Sequence, residues 1–180
     1  MTLAERVLGL HRSLVAQGLP HAFGGAIALA YWTFDPRGTS DIDVNVFVPA
    51  EDCAIALAAL PDGVKQPSGT AEAIARDGQG RLWWGETPVD LFFDYVPIHT
   101  DAARNAQIVE FSDTSIPILG PVELTVFKVM FDRTRDWADI EAMAAAHTVD
   151  FAAVEAALHT LVEDDDPRFA RLAEIGAGAG

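Results

Sequence analysis

The sequence predicts an α/β (α+β) chain: a mixed β-sheet with flanking helices to about residue 120, then a helical C-terminal part. Three observations predict it. Ile42-Asp43-Val44-Asn45-Val46-Phe47-Val48 alternates with the period of a strand. Val89-Asp90-Leu91-Phe92-Phe93 is a short apolar run behind turn residues, and from Pro121 onward apolar residues recur at helical spacing. At 180 residues, 50% of them hydrophobic, the chain suits one domain with a real core.

Each element has a local reason. Thr2 followed by Glu5 has capping-box spacing, and Leu3, Val7, Leu10 and Leu14 form a helical stripe to about Gln17, stopped by Gly18 and Pro20. Ala22-Phe23-Gly24 is short enough for a strand, and residues 26–32 follow as a helix. Asp35-Pro36-Arg37-Gly38 is a loop before the strand at Ile42. Residues 51–60 are Ala-rich and helical, and residues 71–76 form a short helix after a polar stretch. Arg81-Leu82-Trp83-Trp84 and residues 89–93 read as strands with Glu86-Thr87-Pro88 between them. Residues 107–111 read as another strand. Ile116-Pro117-Ile118-Leu119 reads as an edge segment, because proline cannot donate to a ladder. Pro121 suits a first helical turn. Further helices are expected over 137–146, over 151–161 with Asp150 as cap, and over 167–175, before a flexible tail at 176–180.

Composition excludes some functions. Twelve basic residues stand against 27 acidic ones, a net charge of −15, with no basic cluster, so a broad nucleic-acid surface is not expected. The one cysteine, Cys53, cannot form an intrachain disulfide and reads as a small buried residue. The N-terminus lacks a signal peptide's basic lead and apolar run, and no apolar stretch approaches the roughly 20 residues of a membrane span. The expectation is a cytoplasmic protein with no membrane partner.

Three features carry chemistry. Gly24-Gly25 falls between a short strand and a helix start, where backbone N–H groups and the helix dipole suit an anion; paired glycines also serve ordinary turns. Ser40-Asp41-Ile42-Asp43 opens a strand, so Asp41 and Asp43 share one face while Ile42 and Val44 take the other. Two such carboxylates raise each other's pKa unless a cation compensates, and hard oxygen ligands at this spacing suit Mg²⁺. Asp90 is a lone carboxylate in an apolar run, costly unless paired or metal-bound. If its strand neighbours that of Asp41 and Asp43, the three acids share one site. The five histidines show no metal-ligand spacing, and of Trp83 and Trp84 one faces the core while the other is available for stacking.

Together, Gly24-Gly25, then Asp41-Ile42-Asp43-Val44, then an Asp on a later strand resemble the DNA polymerase β-like nucleotidyltransferase superfamily. Within it the sequence is most similar to AbiEii-type toxins and related small bacterial nucleotidyltransferases. Arg37, Thr39 and Ser40 before the acids, Lys128, and Arg133-Thr134-Arg135-Asp136-Trp137-Ala138-Asp139 also resemble that pattern, which covers residues 20–145. The resemblance implies a nucleotidyltransferase catalytic core at 1–120 with helices at 121–175 packed on it. Asp41 and Asp43 would bind Mg²⁺ (or Mn²⁺), with Asp90 as third ligand and base. Gly24, Gly25 and Ser40 would hold the NTP triphosphate and Lys128 would neutralise it, with Asp136 or Asp139 fixing the Lys and Arg residues. An exposed helix with i,i+3 ion pairs is the alternative for that last segment, and a loop-closing pair with Asp35 or Asp41 the alternative for Arg37. The implied activity moves a nucleoside monophosphate to an acceptor hydroxyl on a small molecule, a protein or tRNA, with the toxin of a toxin–antitoxin pair, and hence a cognate antitoxin, among the roles. The sequence departs from the pattern at Ala26, where many members carry a hydroxyl. That departure and the short length keep open a catalytically idle module that binds a nucleotide or partner, and hydrolysis is a third reading.

Overall fold

The computed structural model describes residues 1–178. Helix α1 (Leu3–Ala16) is opened by the expected capping box: the Thr2 hydroxyl accepts from the Glu5 amide at 3.2 Å and the Glu5 carboxylate accepts from the Thr2 amide at 2.6 Å. Strand β1 (His21–Phe23) leads into α2 (Gly25–Thr33), and β2 (Ile42–Pro49) follows the loop. The expected helix at 51–60 is a 3₁₀ turn (Ala50–Asp52) and a short α3 (Cys53–Ala58). Cys53 is buried there, as expected.

Next come β3 (Val64–Lys65), α4 (Thr70–Asp77), β4 (Gln79–Trp84), β5 (Thr87–Asp94), α5 (Ile98–Asn105), β6 (Gln107–Phe111) and β7 (Thr114–Ile118). The sequence reading had no place for β3 or α5. The first is two residues long, and the second carries only three buried residues in a polar helix. The C-terminal part is α6 (Pro121–Phe131), α7 (Thr134–Ala145), α8 (Phe151–Leu158) and α9 (Pro167–Gly178). Asp150 caps α8 by accepting from the Ala153 amide at 3.1 Å. The last helix includes Gly176, Ala177 and Gly178 of the expected tail; residues 179 and 180 lie outside those described.

The seven strands form one mixed sheet in the order β3-β4-β5-β2-β1-β7-β6. β2 pairs in parallel with β5 and antiparallel with β1, while β4 pairs antiparallel with β5. β7 corrects the edge expectation, because it lies between β1 and β6. Its proline is tolerated since β1 reaches it only at Phe23 and Ile118. Pro88 likewise sits inside β5 rather than in the turn. It lies beyond the end of β2, whose ladder starts opposite Val89, so no hydrogen bond is lost there.

One continuous core runs from Val7, Leu10 and Leu14 of α1 through the sheet to Trp137 and Leu172. Burial on this scale, at roughly 25 cal/mol per Å² of apolar surface, is the main stabilising term. Two bonds anchor the end of α2, one to the segment after β7 and one to the loop between α7 and α8: Trp32 Nε1 donates to the Leu119 carbonyl and Thr148 Oγ1 to the Trp32 carbonyl, both at 2.8 Å. α7 packs on α2 and α6, which closes one side of the space above β2 and β5.

Candidate active site

Period-two alternation decides what faces this space. On β2, Ile42, Val44 and Val46 are fully buried in the core, while Asp43 and Asn45, with Asp41 just before the strand, line a cavity of about 490 Å³. On β5, Val89, Leu91 and Phe93 are fully buried, while Asp90 and Phe92 come up beside β2. Asp43 lies opposite Asp90 and Asn45 opposite Phe92. β4 places Arg81 across from Asp90. A charged row of Arg81, Asp90 and Asp43 thus crosses three adjacent strands. The sequence reading made the meeting of Asp41, Asp43 and Asp90 conditional on neighbouring strands, and β2 and β5 are neighbours.

The facing wall is helical. Asp132, at φ +54°, turns the chain between α6 and α7, and its carboxylate accepts from Trp137 Nε1 at 2.6 Å. That turn brings α7 back over α6. Lys128 Nζ then lies 2.6 Å from Asp139 and 3.8 Å from Asp136, all three side chains buried. Arg37 reaches across from the loop before β2 and donates to Asp139 at 2.8 Å, and Arg133 Nε donates to Asp136 at 2.7 Å. The exposed-helix alternative for Asp136 and Asp139 is therefore ruled out, since each is 2% exposed. Arg37 pairs with neither Asp35 nor Asp41 but with Asp139. Arg135 also lines the cavity.

Charge is distributed unequally between the walls. The helical wall sets Arg37, Lys128, Arg133 and Arg135 against Asp136 and Asp139; the sheet wall sets Asp41, Asp43 and Asp90 against Arg81. Asp41 accepts from the Thr39 hydroxyl. Asp43 is pushed up to about 6, first by burial and then by the charges of Asp41 and Asp90, with Lys128 and Arg133 pulling the other way.

Gly25, at φ +49°, starts α2 directly against the Asp43 carboxylate: a Cβ there would lie 2.6 Å from Asp43 Cγ, closer than any real contact. The close approach therefore needs glycine. Gly24 is buried, and its N–H is committed to the Asp43 carbonyl at 3.0 Å, so it holds β1 to β2 rather than facing the cavity. Ser40 is exposed and off the cavity wall. Of the residues expected around a triphosphate, the structure brings Gly25, Arg37, Lys128, Asp136 and Asp139 to the cavity.

Two functional candidates escaped the sequence reading. Asn45 continues the period of Asp41 and Asp43 one step further, a signal that was legible. Arg81 holds both Asp90 oxygens, with Nε and Nη2 each at 2.7 Å. Its partnership depends on the β4–β5 register, which no local pattern contains.

The donor chemistry fits a hard divalent ion: Asp41 and Asp43 share a face, the Asp43 pKa is raised despite the pull of Lys128 and Arg133, and Asp90 lies beside them with both oxygens held by Arg81. Among the described residues, no three His, Cys, Asp or Glu side chains are gathered into a ready-made metal cage.

The chain matches no protein-family model and no curated protein. Its fold is shared with solved structures. The crystal structure of ANT(2″)-Ia in complex with adenylyl-2″-tobramycin aligns over 100% of both chains at a TM-score of 0.56 and 12% identity. The solution structure of the same antibiotic-resistance factor aligns over 97% of this chain and 89% of that one, at 0.53 and 11% identity. A candidate nucleotidyltransferase from H. pylori aligns over 97% and 90%, at 0.51 and 14% identity. The fold is thus nucleotidyltransferase-like, as the sequence predicted.

Proposed function

We propose that this chain is a divalent-metal-dependent nucleotidyltransferase, moving a nucleoside monophosphate from an NTP such as ATP to an acceptor hydroxyl. The observation that carries the proposal is the in-register meeting of Asp43 and Asp90, with Asp41 beside them, across one cavity from Arg37, Lys128 and Arg133. Nucleotidyl transfer needs both kinds of wall. Bound Mg²⁺ or Mn²⁺, held by Asp41, Asp43 and Asp90, would neutralise the triphosphate and lower the acceptor hydroxyl's pKa. Asp90 takes the hydroxyl proton as the acceptor oxygen bonds to the α-phosphorus and the α–β anhydride bond breaks. The departing pyrophosphate faces Arg37, Lys128, Arg133 and Arg135, while the buried Asp136 and Asp139 hold Arg37, Lys128 and Arg133 in place. The Gly25 N–H at the start of α2 adds an anion contact.

The acceptor best suited to a chain of net charge −15 is a small, neutral or cationic hydroxyl compound, since a large RNA would dock against a repulsive field. The adenylyl-2″-tobramycin bound to one structural neighbour is a product of that kind. The toxin reading, with a protein or tRNA acceptor and a cognate antitoxin, rests on the resemblance to AbiEii-type proteins. An idle binding module draws on a different observation, that Asp90 is already satisfied by Arg81.

The test is side-by-side incubation with α-labelled NTPs, Mg²⁺ and three acceptor pools: a small-molecule extract, total protein and total tRNA. Label in the small-molecule pool supports the proposal. Label in tRNA alone refutes the charge argument, and binding of NTP without transfer to any pool refutes the enzymatic reading.

A further inference from the structure

Of the three acids on the sheet wall, Asp90 alone is already neutralised. Arg81 lies directly across from it in the β4–β5 ladder, and its guanidinium meets the carboxylate fork to fork, Nε on one oxygen and Nη2 on the other. The two partners differ in freedom. Asp90 is 15% exposed and fixed on an interior strand, whereas Arg81 is 57% exposed on a long side chain. Arg81 also lies in the field of Asp41 and Asp43, so the whole acidic group holds it.

A divalent ion placed among Asp41, Asp43 and Asp90 needs an oxygen that Arg81 now occupies, and it repels the guanidinium besides. The cavity offers the displaced side chain an obvious new partner, because the nucleotide that accompanies the metal brings phosphate oxygens. Fork-shaped pairing suits a phosphate as well as it suits a carboxylate.

We propose that Arg81 is an internal counter-ion, occupying Asp90 in the nucleotide-free protein and exchanging it for the triphosphate when metal and NTP bind together. The inference rests on the metal reading of the three acids. It makes the metal a poor ligand by itself and a good one with nucleotide, because only nucleotide repays the loss of the pair. Coupling of this kind is reciprocal: Mn²⁺ improves nucleotide binding by the same factor. Arg81 is thus a positioning residue that keeps Asp90 aimed and unavailable until the substrate arrives.

The experiment is Mn²⁺ titration of the full chain, read by the paramagnetic resonance signal of free ion, with and without a non-hydrolysable NTP. The wild type is compared with Arg81→Gln, Arg81→Lys and Asp43→Asn, each checked by thermal melting. Arg81→Gln is expected to bind Mn²⁺ alone at least about fivefold tighter than wild type and to lose most of the nucleotide-induced gain. Arg81→Lys, charged but without the fork, falls between the two. Should Asp43→Asn abolish Mn²⁺ binding while Arg81→Gln leaves it unchanged or weaker, the counter-ion role is overturned and the metal site stands. Binding untouched by Asp43→Asn overturns both.

Discussion

On the helical wall of the cavity Lys128 lies 2.6 Å from Asp139, Arg37 donates to the same carboxylate at 2.8 Å, and Arg133 and Asp136 pair at 2.7 Å. On the sheet wall Asp43 instead faces Asp41 and Asp90 and is pushed up to about 6. The same residue types therefore do different work. Where opposite charges are buried together, each fixes the other, and the wall is finished without a ligand. Where like charges are gathered, the folded chain holds them at a cost, and a cation relieves it.

The sharpest way to break this contrast is to remove a charge from each wall. Asp139→Ala strands Lys128 without its nearest carboxylate inside the protein. The loss should be about 3–5 kcal/mol of folding stability, read by urea denaturation. A change below about 1 kcal/mol would mean that Asp136 alone suffices. Lys128→Met tests whether the finished wall also serves the ligand. It should weaken NTP more than NMP, by about 1.5–3 kcal/mol, in calorimetric titrations. An equal loss for the two nucleotides would assign Lys128 to structure only.

Gly25→Ala probes where the walls meet. The left-handed backbone costs about 1–2 kcal/mol for alanine, and the added methyl must also displace Asp43. Stability and Mn²⁺ binding should fall together. A stable variant with intact metal binding would dissociate Gly25 from Asp43.

The smallest effect has the opposite sign. Asp43 has a folded value raised to about 6 from 3.8, so its ionised form costs stability above pH 6. The cost fades as pH falls from 6 toward 3.8, where the carboxyl is protonated in both states. Asp43→Asn should accordingly stabilise the metal-free protein at pH 7.5 by about 1–2 kcal/mol, after allowance for solvent screening, and the advantage should vanish near pH 4. Destabilisation at pH 7.5 would mean that Asp43 is paired rather than strained.

The sequence revealed the sheet wall better than the helical one, for a physical reason. Asp41 and Asp43 show themselves through the two-residue period of a strand, and Asp90 through its apolar neighbours; both signals are local. Asp136 and Asp139 are spaced identically whether their helix is buried or exposed, so only packing against Arg37, from a loop about 100 residues away, decides. Arg81 belongs to register, Gly24 and Ser40 to the path of the backbone, and none of these is written in spacing. At fold level the same rule holds. Long periodic helices and alternating strands were readable, while α5, the two-residue β3 and the interior place of β7 depend on contacts with distant segments.

Asp41 and Asp43, unlike Asp90, have no paired cation among the described residues, and on the proposed function they await a metal-bound nucleotide. That is tested most directly by release of labelled pyrophosphate from γ-labelled NTPs, with and without Mg²⁺, in the presence of a small-molecule extract. The wild type should release pyrophosphate only when Mg²⁺ is present. Asp43→Asn, folded and at least as stable, should release none. Release by Asp43→Asn at the wild-type rate, or release by the wild type after exhaustive removal of metal, would contradict it.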